Sequence, residues 1–499
     1  MKKNDFCVFM DSLSPFEKGR FEDFLNSPYF SKSSKLPEMY KFLKHKNPAI
    51  DTSNNIEYFP SNEQIFKHLY PGKTFSDVII RNLFSDLVKS GMAFLVFEGF
   101  RESKSDHSRY LLASLSKKGL NKFFKKYSGR TDHPPHGYLD YNFFLNDHYI
   151  ESIRFNFNYL NEKFTKKQKA NENLCHLNNS IESLVYFFIL ELSSKYEVAV
   201  MYDRLFDLGA ANTGLKTFFE SNSMEDLRNI IPANSKYFFV IELYRSLLKM
   251  TSDFENTRHY YTARNIIFRN KDHFSKDENH FFFLSFISYL IRKSGNNTTG
   301  KKFQGELFDI YKILLDKQYY MNSHTNLLTQ IMYRNILFHG LKLQEFEWVA
   351  EFITKFTGEL NPKIAKNMRN YASAYLAYYT KKYDESLEHL NKVKTDQFQY
   401  KYDIKNLTLM IYYEQGNIEA ILYATKSYRS FVKNDRLLNN LKKKRYLKFV
   451  SYLEDLLYFN FGNKVLDLDY LYEQISANDV TAHKDWLLER IMILKGNSK

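Results

Sequence analysis

The chain has 499 residues, 44% of them hydrophobic and 17% aromatic, enough for two or three ordinary domains or one long array of repeats. With 10 Pro and 17 Gly it lacks the turn punctuation of an all-β protein, and two cysteines, Cys7 and Cys175, make neither a disulfide framework nor a cysteine zinc site. The formal net charge of +14 suits a nucleic-acid, membrane-surface or acidic-protein partner, but the excess is spread among plentiful acidic residues, as on a solvated surface.

The opening MKKNDFCVFMDSL starts basic, yet Asp5 and Asp11 interrupt its apolar stretch, so a signal peptide is not expected. Apolar runs such as Phe281 to Ile291 are too short to span a bilayer. A cytoplasmic protein with reduced thiols is the expectation. A helical unit is predicted up to residue 130. Ser14-Pro15-Phe16-Glu17 begins it, with Ser14 as N-cap, Pro15 at the first helical position and Glu17 completing a capping box. Phe21, Phe24 and Leu25 follow on one face. Further helices are predicted from Leu36 to Lys44 and from Ser61 to Leu69, the second ended by Tyr70-Pro71-Gly72. Ser76 then caps a longer helix with Val78, Ile79, Leu83 and Leu87 inward. The tight Pro-Gly turn also allows a winged helix, with Ala93 to Phe97 and Arg109 to Leu115 as strands. Leu111, Leu112, Leu115, Leu120, Phe123 and Phe124 argue against it, because their spacing is helical rather than alternating.

Residues 131–137, carrying Asp132-His133-Pro134-Pro135-His136-Gly137, read as a linker. A helical array is predicted over 138–432. Long helices fall near 138–165 and 177–207, and helical pairs near 235–270, 276–317, 325–357, 362–394 and 398–432. Their breaks carry Asn270, Gly295, Gly340, Asn361-Pro362 and Gly416. Residues 433–499 are predicted as a C-terminal helical cap, with helices near 434–460, 467–475 and 481–495. The last carries Trp486, Leu487, Leu488 and Ile491 on one face. The predicted fold class is all-α.

Within the array, two stretches correspond at an offset of 34 residues: Tyr378-Tyr379 recurs as Tyr412-Tyr413, Leu376-Ala377 falls on Met410-Ile411, Ser386-Leu387 on Ala420-Ile421, and Leu390 on Ala424. A helical unit of this period stacks on a neighbour to bury its apolar face. Ala374 and Ala377 supply small residues in the first helix, Ser386 and Ala420 in the second, Gly416 the turn and Pro362 a repeat boundary. On these features residues 363–432 resemble two tetratricopeptide-type repeats, and Gly340 to Phe356 resembles a third copy. Lys382 stands where the turn glycine belongs, and the Trp-Leu-Gly signature is absent. The resemblance implies a superhelical solenoid that binds a protein or peptide in a concave groove lined by the first helix of each pair. Placing Ser386 and Ala420 at the family's small position turns Tyr371, Tyr375, Tyr378, Lys405, Leu409 and Tyr412 toward that groove, where Tyr and Lys grip a peptide's backbone, side chains and terminal carboxylate.

Gly295-Asn296-Asn297-Thr298-Thr299-Gly300-Lys301-Lys302 fits G-x-x-x-x-G-K, but Lys302 occupies the hydroxyl position that holds magnesium in a phosphate loop. A polar inter-helix loop is expected instead. Asp132, His133 and His136, like Asp272, His273, Asp277 and His280, lack the helical i, i+4 histidine spacing of a metal site. Cys175-His176 is expected as a buried thiol beside a surface imidazole. Basic clusters occur at Lys117, Lys118, Lys122, Lys125 and Lys126, at Lys163, Lys166, Lys167 and Lys169, and, most densely, at Lys442, Lys443, Lys444, Arg445 and Lys448. Such clusters contact phosphate backbones or serve as solvated faces. The expected function is a non-enzymatic, cofactor-free scaffold for a protein or peptide partner. The alternative is a nucleic-acid-binding or regulatory protein that uses the basic clusters.

Overall fold

A computed structural model describes residues 5–46, 59–129, 138–161, 167–206, 223–295, 300–322, 325–394, 400–436, 438–460, 467–478 and 480–497, with a few isolated positions between 214 and 221. Among the described residues no strand forms, and the chain divides into two compact units, Met1–Ser275 and Lys276–Lys499.

The first unit starts with α1 (Asp5–Ser12), α2 (Pro15–Asn26), α3 (Lys35–Lys46), α4 (Asn62–Leu69) and α5 (Asp77–Glu102). Ser14 and Ser61 open α2 and α4 with complete capping boxes. In α2 the Ser14 N–H donates to Glu17 Oε2 at 2.8 Å while Ser14 Oγ accepts from the Glu17 N–H; Gln64 answers Ser61 in the same way. The helices close on Phe6, Met10, Phe21, Tyr40, Ile65 and Ile80, all fully buried. The Phe21 ring sits edge-on to Phe9 at 5.2 Å and to Tyr40 at 5.4 Å, the offset geometry that aromatic quadrupoles favour.

α5 presents Ile80, Phe84, Leu87, Gly91 and Phe94 to this core. The inward face is therefore shifted from the predicted one: Leu87 is buried and Leu83 packs at the edge, but Val78 and Ile79 are exposed. Gly91 allows α1 to approach α5, since a Cβ there would lie 2.7 Å from the Phe9 ring. Ala93 to Phe97 belong to α5, and Arg109 to Leu115 to the next helix, so the winged-helix strands do not form.

The unit continues with α6 (Lys104–Lys117), α7 (Asn121–Ser128), α8 (Tyr141–Asn161), α9 (Lys167–Phe206), α10 (Ser223–Ile230), α11 (Phe238–Ser252) and α12 (Arg258–Asn270). Leu112, Leu115, Phe124, Ile150 and Phe157 form a second core, in which Phe124 stacks on Phe157 at 3.7 Å. Leu111, Leu120 and Phe123 point to solvent. The predicted linker at 131–137 lies outside the described residues. Because α6 packs on α8 from the other side of it, the compact unit runs on to Ser275 rather than ending there.

The second unit contains α13 (Lys276–Ser294), α14 (Gly300–Asp316), α15 (Gln330–Lys342), α16 (Phe346–Phe356), α17 (Pro362–Tyr379), α18 (Tyr383–Asn391), α19 (Lys401–Glu414), α20 (Ile418–Asn434), α21 (Asn440–Asn460), α22 (Leu468–Ser476) and α23 (Lys484–Asn497). Pro362 occupies the first turn of α17 behind Asn361, whose side chain accepts from the Lys363 N–H. The first helices of successive pairs pack on one another, α15 on α17 and α17 on α19.

The turns inside these pairs share one backbone design. Gln344, Lys381 and Gly416 adopt φ of 62°, 62° and 67°, each two residues past the end of a first helix. Lys381 N–H donates to Tyr378 O and Lys382 N–H to Ala377 O; Gly416 with Asn417, and Gln344 with Glu345, repeat the pattern. This is the Schellman arrangement, which satisfies the last helical carbonyls. The left-handed residue is thus Lys381, not the predicted Lys382, and it lies 35 rather than 34 positions before Gly416. Counting five on from each turn pairs fully buried Ser386 with fully buried Ile421, so the position assigned to Ala420 belongs to its neighbour. Ser386 Oγ–H donates to Ala374 O at 2.7 Å, fixing α18 against α17. A side chain in the left-handed region costs about 1 kcal/mol. Lys381→Gly is therefore expected to raise the urea midpoint by that equivalent, with an unchanged denaturant slope.

Candidate binding surface along the first helices

Three successive first helices are joined by polar side chains that meet at one carboxylate. Arg334 of α15 donates to Asp403 Oδ2 of α19 from Nε at 2.9 Å and from Nη2 at 2.8 Å. Tyr371 of α17 donates to the same oxygen at 2.8 Å, and Tyr375 donates to the Asp403 backbone carbonyl at 3.1 Å. The Arg334 guanidinium lies over the Phe338 and Tyr400 rings, 4.7 and 5.2 Å from their centroids, which are favourable cation–π contacts. Burial alone would lower the Arg334 pKa, but Asp403 and Tyr371 hold it above the ordinary arginine value. Burial pushes both the Tyr371 and Tyr375 hydroxyls well above the usual tyrosine range, and the Asp403 charge adds to this. The cluster is thus a fixed ion pair with two neutral hydroxyl donors.

A second convergence lies at the C-terminal ends of the same helices. Glu414, the last residue of α19, accepts from the Trp486 indole N–H at 3.0 Å, from Arg490 Nη1 at 3.1 Å and from the Tyr378 hydroxyl at 3.4 Å. Burial raises the Glu414 carboxyl, opposed by Arg490 and the indole N–H. The Trp486 ring stands edge-on to Tyr413 at 5.4 Å and tilted to Phe449 at 6.2 Å.

The predicted binding residues are largely enclosed by the helices around them. Tyr371, Tyr375, Tyr378 and Leu409 are buried, while Lys405 and Tyr412 are half-buried. Tyr371, Tyr375 and Tyr378 turn along the row toward α19, where Asp403 and Glu414 receive their hydroxyls. Lys405 instead lies over the Phe431 ring of α20 at 4.6 Å. The six residues therefore do not share one surface. The partners that organise the row, Arg334, Asp403, Glu414, Trp486 and Arg490, were not singled out as site residues. Arg334 and Asp403 are nearly two repeat lengths apart, and that spacing was the available signal.

The other constellations resolve individually. Gly295 and Gly300 bracket positions outside the described residues, and the segment before them is helix α13 rather than the strand a phosphate loop requires. Cys175 is exposed rather than buried as expected, and half-buried His176 donates to buried Glu151 at 2.7 Å. His148 Nδ1 lies 3.0 Å from Ser180 Oγ, but the neighbouring carboxylate of Asp147 is taken by Ser183, so no relay of nucleophile, base and acid assembles. Asp132, His133 and His136 lie outside the described residues, and His280 donates to the Tyr319 carbonyl. Among the described residues no group of three His, Cys, Asp or Glu is placed to hold a metal, and no helix is long and apolar enough to cross a membrane.

Lys117, Lys118, Lys122, Lys125 and Lys126 are exposed on α6 and α7, and Lys167 and Lys169 at the start of α9; Lys163 and Lys166 lie outside the described residues. On α21, Lys442, Lys444 and Arg445 are exposed, whereas Lys443 and Lys448 are half-buried and Lys443 donates to the Lys433 carbonyl at 3.2 Å.

Comparison with family models, curated proteins and solved structures finds no match to this chain.

Proposed function

We propose that the chain is a non-enzymatic, cytoplasmic scaffold that binds a protein or peptide partner, and that its helical pairs form a tetratricopeptide-like solenoid with the first helices as the binding row. The observation that carries this reading is the locking of α15, α17 and α19 through Arg334, Tyr371, Tyr375 and Asp403. Side-chain bonds between successive first helices fix their spacing, which pre-organises a row to meet an extended or helical ligand at low entropic cost. The test is affinity purification of the tagged chain from its host, with half of the sample treated with nuclease. Nuclease-resistant proteins that are lost with Tyr412→Ala, a half-buried position on α19, are the expected result. Recovery of nucleic acid alone would overturn it.

A second reading has one observation in its favour, the exposure of Lys442, Lys444 and Arg445 on one helix. On this reading the chain contacts nucleic-acid phosphates there. Affinity for a labelled duplex then falls steeply with salt, and neutralising all three residues flattens the log–log salt slope by about 3. A slope unchanged by the triple substitution rules out these side chains as the contact.

A further inference from the structure

The last helix packs mainly on α21 and α22 and reaches the C-terminal end of the first-helix row through side chains. Trp486 of α23 packs against Tyr413 of α19 and beside Phe449 of α21. Its indole N–H and the guanidinium of Arg490, one turn later, share the two oxygens of Glu414. Tyr378, near the end of α17, donates to that same carboxylate, and the acidic Glu489 and Asp485 of α23 add to the burial that raises Tyr379. Trp486, Leu487 and Ile491 make the buried face of α23, while Met492 and Ile493 face solvent. The residue before the helix, His483, has φ 50°, a left-handed conformation that strains a residue with a Cβ.

We propose that α23 is an internal stand-in for a partner, and that the surface formed by Tyr378, Tyr379, Tyr413 and Glu414 takes an amphipathic helix bearing an aromatic residue and an arginine four positions apart. This deepens the scaffold reading and rests on it. The spacing follows from helix geometry: residues i and i+4 lie on one face, one turn apart, so an indole N–H and a guanidinium reach the same carboxylate together. Tyr378 donates to that carboxylate, and Tyr413 meets the indole edge-on, the geometry aromatic rings favour. Helix-in-groove recognition uses such a stripe of anchors. Because α23 is tethered, it acts at an effective concentration of about millimolar and keeps the surface covered until a partner helix displaces it. Departure also releases the strained backbone at His483.

The test uses the full chain and a fluorescein-labelled peptide with the sequence of residues 482–497, read by fluorescence anisotropy. Arg490→Glu in the chain weakens its own helix at Glu414 but leaves Glu414 free for the peptide's arginine. This variant is expected to bind the peptide at least tenfold more tightly than the unaltered chain. The Glu414→Arg, Arg490→Glu double variant restores the pair with reversed sign and is expected to lose that gain, as is a peptide with alanine at its Trp and Arg. Trp486→Ala in the chain opens the same surface by a different anchor, so a folding defect in one variant, checked by circular dichroism, does not decide the matter. Equal peptide affinity for the unaltered, Arg490→Glu and Trp486→Ala chains overturns the proposal, as does binding indifferent to the peptide's Trp and Arg. Peptide capture with no nuclease-resistant partner would sink the scaffold reading and with it the proposed partner; a recovered partner with no gain from Arg490→Glu would sink this proposal alone.

Discussion

Asp403→Ala is expected to destabilise the unit formed by residues 276–499 by about 3 kcal/mol. The Asp403 side chain is 15% exposed and accepts from both Arg334 and Tyr371. Removing it leaves a guanidinium and a phenolic hydroxyl in the interior without their acceptor, and breaking a buried pair from one side costs about 3–5 kcal/mol. The Arg334 side chain is 31% exposed, so water recovers part of the loss and the lower end of that range applies. Arg334→Met is expected to cost less, because Asp403 keeps the Tyr371 hydroxyl and the methionine retains apolar contact with Phe338. Urea denaturation of both single variants and the double variant checks this, with a coupling free energy above about 1 kcal/mol expected for residues in one network. A loss below about 1 kcal/mol for Asp403→Ala would mean that the cluster behaves as a solvent-screened surface pair.

Phe21→Ala is expected to cost about 3–5 kcal/mol, the range for deleting a fully buried aromatic side chain. The Phe21 ring lies among Phe9, Tyr40 and Phe94 with centroids 5.2, 5.4 and 5.4 Å away. Those neighbours come from α1, α3 and α5, so the void opens where three helices meet and no single side chain closes it. Hydrogen exchange of the α1–α5 amides that open with this core should quicken by about 150-fold at least, since each 1.4 kcal/mol is a factor of ten. Exchange unchanged in these helices would show that the aromatic cluster does not hold them together.

The helices were legible because local rules set them. Ser14 and Ser61 announce α2 and α4 through capping chemistry that needs no tertiary partner, and the start of α17 follows from Asn361-Pro362. The pairing rhythm from α13 to α20 follows from apolar period and turn residues in the same way. The inward face of α5 was less legible, because Val78, Ile79 and Ile80 offer contiguous apolar residues and only packing against α1 selects Ile80. The repeat register was misplaced by one residue for a related reason. The duplicated tyrosines suggested an offset of 34, whereas the left-handed residue sits at Lys381, where nothing in the residue type marks it. Tyr371 and Tyr375 were turned toward the groove by placing Ser386 and Ala420 at the repeat family's small position. Their acceptor, Asp403, lies on another helix about 30 residues away, a pairing that local spacing does not encode.

The bond from Arg334 to Asp403 joins α15 to α19, two first helices with α17 between them in the chain. In arrays held only by adjacent contacts, recombination duplicates or deletes a unit and the remainder still stacks. Here a duplicated α17–α18 segment would carry Asp403 out of reach and strand Arg334, and a deletion would remove the Tyr371 donor from between them. A change in the number of helical pairs between α15 and α19 is therefore expected to cost stability. Over this stretch the gene is expected to diversify by substitution at the surface, not by gain or loss of whole units.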